Sequence, residues 1–322
     1  MLINLFEEIP WARFIQLEQY KKLSLTEQQI YYDQYISDLN VARQNWLAYQ
    51  NKGPRVRRSS SGRISCTAGM DVVFVIDYTG SMGSAIDNLK TDIASIIAAI
   101  ITESNNDYRL GLVLFDAYRS GQAVDYASST TYQNLPASQK IITPDSSAGP
   151  NSGNPGLSVY QALTALVMMT QNNSSSFDTA LQQLNGTAPS GLPLGGGAIA
   201  DGPEPGDLAI EEVINSDFAG AFRNDVAKLI ITISDNYPGG YAEDYDANVI
   251  SRLQTLATTS VTEDIQHLAM IDLSPSQTLN PDPMAANTGY RILTDNTGGL
   301  FVDSFTPADI ITVIQDICVE NA

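Results

Sequence analysis

Met70-Asp-Val-Val-Phe-Val-Ile-Asp77-Tyr-Thr79-Gly-Ser81-Met-Gly83 is an apolar, β-branched run that stops on a carboxylate. Val72 to Ile76 carries no polar residue and reads as a strand buried on both faces. Past it, Asp77, Thr79 and Ser81 follow one another at two-residue steps, and then come glycine and an amphipathic helix. Such a turn places three hard oxygen donors at the carboxyl edge of a sheet, where open α/β sheets bind their ligands. Donors of this kind suit Mg²⁺, Mn²⁺ or Ca²⁺ rather than zinc or copper. The first expectation is a divalent-cation site.

Outward from that strand, elements alternate to the end of the chain. The spacing predicts a helix over Ser84–Glu103, a strand over Tyr108–Asp116, and a buried strand over Asp225–Asp235 that again ends on a carboxylate. A helix near Tyr241–Ala257, strand Ile265–Asp272, a short helix before Thr297-Gly-Gly299, strand Leu300–Val302 and helix Pro307–Cys318 complete the series. This alternation argues for an α/β fold: a doubly wound, mostly parallel sheet with helices on both faces. From about 117 to 206 the composition turns to Ser, Asn, Gly, Pro and Thr. A structureless loop of that length is uncommon. The segment therefore reads as an insertion holding a strand and helices, at Leu157–Thr170 and Phe177–Leu184, with embellished surface loops of the kind that carry partner contacts.

The first 69 residues have a different character. Residues 1–51 read as a helical docking arm: Ser24-Leu-Thr-Glu27 is a capping box, and Tyr32, Ile36, Leu39, Trp46 and Tyr49 recur at helical spacing behind it. A helical hairpin this small cannot bury its own apolar stripe. It must rest on the main domain or on an assembly partner. Residues 52–69 form a basic Gly/Pro/Ser linker with Lys52, Arg55, Arg57, Arg58 and Arg63. The formal net charge of the chain is −19; residues 1–63 hold 9 Lys+Arg against 6 Asp+Glu, leaving 8 against 30 for the remainder. So acidic a main domain repels nucleic acid and anionic membranes and favours cations. No run reaches the roughly 18 apolar residues of a membrane span, so no membrane insertion is expected. MLINLFEEIPWARF lacks the basic region of a Sec signal peptide. The expectation is synthesis in the cytoplasm, with incorporation into a virion or other particle left open.

Two cysteines exclude a zinc ribbon and a disulfide scaffold. Cys66 precedes the first strand and Cys318 lies in the last helix, places that adjoin in a doubly wound sheet. A disulfide and two buried thiols both remain open.

Gly195-Gly-Gly-Ala-Ile-Ala-Asp201-Gly-Pro-Glu204 is an acidic turn before a helix near Asp207–Asn215. With Asp77, Thr79, Ser81 and Asp235, either Asp201 or Glu204 would make an incomplete oxygen shell that waters or a partner's acidic residue could fill to six. Here the chain resembles a known family. Asp77-Tyr-Thr79-Gly-Ser81 is similar to the Asp-x-Ser/Thr-x-Ser motif of von Willebrand factor type A domains, their metal-ion-dependent adhesion site. GGGAIADGPE resembles the turn of hemicentin-like and integrin-β-like members, Ile-Ser-Asp235 the third motif, and Asn296-Thr-Gly-Gly299 the penultimate turn. The resemblance covers residues 70–322. It implies about six strands with one antiparallel edge, and a metal held by Asp77, Thr79, Ser81, Glu204 and Asp235, with Asp201 behind or beside it. Three departures stand out: an inserted Ala-Ile-Ala before Asp201, Ser84 and Ala85 where integrin-β-like members have paired aspartates, and residues 1–69, which match nothing in the family.

Enzyme readings fit less well. Thr79 stands where a haloacid-dehalogenase phosphatase would have its second aspartate, and Tyr78 interrupts an aspartic-protease Asp-Thr-Gly-Ser. Neither a nucleophile elbow nor a phosphate-cradling glycine loop follows a strand. The single histidine, His267, lies within an apolar strand and reads as structural. The expected function is a non-catalytic, metal-dependent adhesion module, in which Mg²⁺ (or Mn²⁺ or Ca²⁺) receives an acidic side chain of a protein ligand. The alternative is a structural subunit of a large particle, such as a phage tail or other virion component, with the type A domain as scaffold or receptor-facing module.

Overall fold

The structure, a computed structural model, describes residues 11, 15–16, 21–33, 36, 65–78, 82–119, 134–144, 159–184, 204–239, 247–271, 285–302 and 307–319. Thr79, Ser81, Asp201, most of the arm and linker, and much of the insertion lie outside these residues. The chain divides into two compact units, Met1–Ser59 and Ser60–Ala322.

In the first unit, residues 25–33 are helical. The capping box is formed: Ser24 N–H donates to Glu27 Oε2 at 2.9 Å, and Glu27 N–H donates to Ser24 Oγ at 3.4 Å. Two first-turn groups are thereby satisfied at once. Trp11 meets the Tyr32 ring edge-on, with centroids 5.1 Å apart.

The second unit is built on one seven-stranded sheet. Its strands are β1 (Met70–Asp77), β2 (Tyr108–Arg119), β3 (Lys140–Pro144), β4 (Val159–Val167), β5 (Ala227–Ser234), β6 (Ile265–Ile271) and β7 (Leu300–Val302), in the order β3-β4-β2-β1-β5-β6-β7. β4 alone runs against the others, since it pairs antiparallel with both β2 and β3. The helices are α1 (Gly83–Glu103), α2 (Ser174–Gln182), α3 (Gly206–Asn215), α4 (Ala247–Thr262), α5 (Ala285–Thr297) and α6 (Pro307–Val319).

Two separate cores show why this sequence makes a three-layer fold. Val72, Phe74 and Ile76 of β1 enter one core, with Ile86, Leu89, Ile93 and Ile100 of α1 and Ile310, Val313 and Ile317 of α6. Val73 and Val75 enter the other, with Leu208 and Val213 of α3, Leu253 and Leu256 of α4, and Leu293 of α5. Period-two alternation in the strand meets three- and four-residue spacing in the helices, so each face of the sheet is covered. This is the doubly wound α/β architecture.

The insertion corrects one expectation. The composition predicts a helix over Leu157–Thr170; the structure has β4 at Val159–Val167. Ala162 joins the first core while Leu163 and Ala165 join the second. A strand buried on both faces is apolar almost throughout, and periodicity alone does not separate it from a buried helix.

The sulfurs of Cys66 and Cys318 are bonded, with Cα atoms 5.3 Å apart. The bond joins a short turn, Cys66–Ala68, to α6. Among the described residues no helix is long and apolar enough to cross a membrane.

Candidate functional site

From β1 the chain winds to β2 with α1 on one face; from β5 it winds to β6 with α4 on the other. The winding thus reverses between β1 and β5, which are neighbours. At such a reversal the loops leaving the carboxyl ends of a doubly wound sheet generally diverge into a crevice, the place where these sheets take ligands. Asp77 closes β1 and Asp235 follows β5 directly.

The Asp77 carboxylate is held by the end of the neighbouring strand. Asp77 is fully buried, and its Oδ2 accepts a hydrogen bond from Ser234 Oγ at 2.8 Å. Ser234 Oγ in turn accepts from Asn236 N–H at 3.1 Å, and Tyr237 N–H donates to Asn236 Oδ1 at 2.9 Å. The turn after β5 is therefore tied into the end of β1. Glu204 reaches the same edge by backbone pairing: its N–H donates to Tyr237 O at 2.8 Å and its carbonyl accepts from Gly239 N–H at 2.7 Å. A parallel bridge to Pro238 results, so the residues before α3 run as an extra rung beside the exit of β5.

Two further buried acids stand nearby in the fold. Asp116 continues β2 one position beyond Phe115, the register partner of Asp77. Asp207, in the first turn of α3, pairs with Arg252 Nη1 at 2.6 Å, while Arg252 Nε meets Glu211 at 2.9 Å. Tyr290 of α5 links the elements. Burial, followed by the negative charges of Asp207, Asp77 and Glu204, pushes its hydroxyl well above the usual tyrosine value. A neutral phenol thus faces this acidic region from beneath, and a Cβ on Gly206 would run into its hydroxyl.

Of the six residues expected at the metal, the structure places Asp77, Glu204 and Asp235 at one edge, all buried; Thr79, Ser81 and Asp201 lie outside the described residues. Among the described residues no three His, Cys, Asp or Glu side chains converge closely enough to hold a metal ion by themselves. The donor chemistry fits a hard cation. Its shell would have to draw on the hydroxyls of Thr79 and Ser81 and on water rather than on a carboxylate triad. The sequence reasoning passed over Ser234, Tyr290 and Asp116. Asp116 carried a readable signal, because it ends the apolar run Leu110–Phe115 as Asp77 ends Val72–Ile76. Tyr290 carried none; only the packing of α5 brings it beneath the crevice.

No family model and no curated protein sequence matches the chain. Among solved structures it is similar to proximal thread matrix protein 1 of the mussel byssus, at 11% identity and a TM-score of 0.43, over 80% of this chain and 49% of that one. It is also similar to the pilus adhesin SpaC of Lactobacillus rhamnosus GG, at 12% identity and a TM-score of 0.44, over 78% of this chain and 30% of that one. The chain thus spans about half the length of the first and under a third of the second. The strand order and register, not these likenesses, define the fold.

Proposed function

We propose that the crevice between β1 and β5 is a divalent-cation site of the metal-ion-dependent adhesion type, through which the domain binds a protein bearing an exposed carboxylate. One observation supports this best. Asp77, Glu204 and Asp235, carried by three separate stretches of chain, are buried along one sheet edge at the reversal of winding. Gathering anions in a buried edge is costly unless a positive group offsets them. Mg²⁺ or Mn²⁺ would supply that charge and leave a coordination position for a partner's acidic side chain, an attraction much stronger in a partly dry site than in bulk water. In this reading Asp77 and Asp235 orient the site, Thr79 and Ser81 give neutral ligands, and Glu204 or Asp201 closes it from the loop. The same roles make the domain a binding module, with no nucleophile or general base.

The test uses the metal alone. Titrating Mg²⁺ and Mn²⁺ into the chelator-stripped full chain should give saturable heat that Asp77→Asn abolishes. Ser81→Ala should weaken it at least tenfold. Absence of saturable binding at millimolar Mg²⁺ and Mn²⁺ would overturn the reading.

A second reading, a subunit of a larger particle, rests on the separation of Met1–Ser59 from the sheet domain and on the exposed Leu25 and Ile30 on its helix. Deleting residues 1–59 should then abolish incorporation while Mg²⁺ binding persists.

A further inference from the structure

We propose that Tyr290 is a positioning residue of the crevice: its phenol closes a hydrogen bond onto Ser234 when a divalent cation is bound, and so fixes the Asp77 carboxylate that Ser234 holds. The inference rests on the cation reading and deepens it, because it gives a role to a residue outside the coordination shell.

Three observations meet at this hydroxyl. Tyr290 is fully buried, yet among the described residues its Oη completes no hydrogen bond. A buried donor without a partner is costly, and phenylalanine would fill the same volume without that cost. The hydroxyl also has a defined place. A Cβ on Gly206, the first residue of α3, would run into it and would meet Phe115 Cζ at 3.1 Å. The phenol thus stands where the Glu204 turn enters α3, and the glycine leaves it room. The third observation is its neighbour. Burial and the charges of Asp207, Asp77 and Glu204 raise the Tyr290 pKa, and hydrogen bonding with Ser234 opposes them. The phenol is therefore protonated and a donor, and the two hydroxyls need only a small adjustment to bond.

Ser234 decides what that bond does. A serine hydroxyl has one proton and two lone pairs. The proton has two acceptors in range, Asp77 Oδ2 at 2.8 Å and the Asn236 carbonyl at 3.3 Å. One lone pair takes the Asn236 N–H at 3.1 Å, which leaves the second for Tyr290. Once Asp77 shares its charge with a cation, its Oδ2 becomes a weaker acceptor, and the serine proton is freer to turn toward Asn236. A phenol donating to Ser234 Oγ opposes that turn, because a hydroxyl that accepts a hydrogen bond is a stronger donor. Tyr290 thus keeps Asp77 aimed at the crevice as the site fills. Groups bonded behind metal-binding carboxylates commonly orient them in this way.

The test removes one oxygen. In the chelator-stripped full chain, Tyr290→Phe should weaken Mg²⁺ binding about tenfold by calorimetry, while the metal-free melting temperature stays at or above the parent's. Ser234→Ala should weaken binding at least as much. Adding Tyr290→Phe to Ser234→Ala should cost nothing further, since the phenol acts through the serine. A second readout does not need Ser234→Ala to fold. With the tyrosines labelled at Cζ, the resonance missing from Tyr290→Phe belongs to Tyr290, and it should shift on adding Mg²⁺. An unchanged Mg²⁺ affinity in Tyr290→Phe, or a Tyr290 resonance indifferent to Mg²⁺, would overturn the inference and leave the cation reading standing. Losses that multiply in the double variant would overturn the route through Ser234. A parent that binds no Mg²⁺ removes both readings.

Discussion

His267, the chain's single histidine, is enclosed between β6, α4 and α5. Its Nε2 lies 2.8 Å from Ser260 Oγ and its backbone N–H donates to Thr297 Oγ1 at 3.2 Å. Burial lowers its pKa to about 3. The folded protein thus keeps the ring neutral across a range in which the unfolded chain, with a histidine near 6.5, takes up a proton. The unfolded state binds more protons there, so stability rises with pH and is lost as pH falls below about 6.5, by at most about 1.4 kcal/mol per unit. Asp71 acts in a lower window. Burial alone would raise its carboxyl, but Arg109 and Arg223 outweigh it and hold the group below the ordinary aspartate range. Arg109 Nε donates to Oδ1 at 2.9 Å, and Arg223 N–H to Oδ2 at 2.7 Å. A carboxylate with a depressed pKa contributes stability above its unfolded value, near 3.9, and loses it on further acidification. Urea titrations from pH 7 to 3 should therefore show a decline beginning near 6.5 and steepening below about 4. In His267→Asn the upper slope should vanish while the lower one remains. An unchanged slope between pH 6.5 and 4.5 in that variant would show that His267 is not the group responsible.

Elements whose local chemistry agrees with their packing are legible in the sequence. Strand Leu300–Val302 falls on the residues expected, and β1 and β6 end within a residue of expectation. α4 was expected near Tyr241–Ala257 but occupies Ala247–Thr262. Its last turns are rich in threonine, a weak helix former. The hydroxyls of Thr255, Thr258, Thr259 and Thr262 each donate to the carbonyl four residues back, at 2.9 to 3.1 Å, which accommodates them in the helix. β4 departs further from expectation, because an apolar run buried on both faces has no period that separates strand from helix; beyond its end, Asn173 uses its side chain as a short piece of strand. Oδ1 accepts from Leu110 N–H at 2.8 Å, and Nδ2 donates to the carbonyls of Leu110 at 2.7 Å and Met168 at 3.2 Å. The amide completes the β2 ladder where β4 no longer runs beside it. Asn173→Ala should leave buried Leu110 groups without partners and cost roughly 3 kcal/mol. Asn173→Asp, which sets a buried carboxylate against the Leu110 and Met168 carbonyls, should cost at least as much. Denaturant midpoints at neutral pH would order the three proteins; an alanine variant within about 0.5 kcal/mol of the parent would remove the pin from the account. The site was legible in the same uneven way. Strand-end acids announced themselves, whereas Ser234 and Tyr290 depend on which elements the fold sets against each other.

At the scale of the whole molecule, charge complicates any claim about a cation. The chain carries a formal −19, and its acidity is concentrated after residue 63. Such a domain gathers a diffuse cation atmosphere and is stabilised by any salt that screens its self-repulsion. A rise in melting temperature on adding MgCl₂ would therefore say nothing about the crevice. The two effects separate because screening depends on ionic strength, whereas a bound ion acts through its own dissociation constant. At matched ionic strength, about 10 mM MgCl₂ against about 30 mM NaCl, screening by a dilute 1:1 salt and a 2:1 salt is nearly alike. A specific site adds RT ln(1 + [Mg²⁺]/Kd), which reaches about 2.7 kcal/mol at a hundredfold excess over Kd. The parent should gain this increment in Mg²⁺ over Na⁺, and Asp77→Asn should lose it. Both proteins should respond equally to NaCl, because one charge in a field of this size alters screening little. Equal gains in Mg²⁺ for parent and variant would instead assign the whole effect to the acidic surface. The edge carboxylates would then be a structural feature of the fold rather than its binding site.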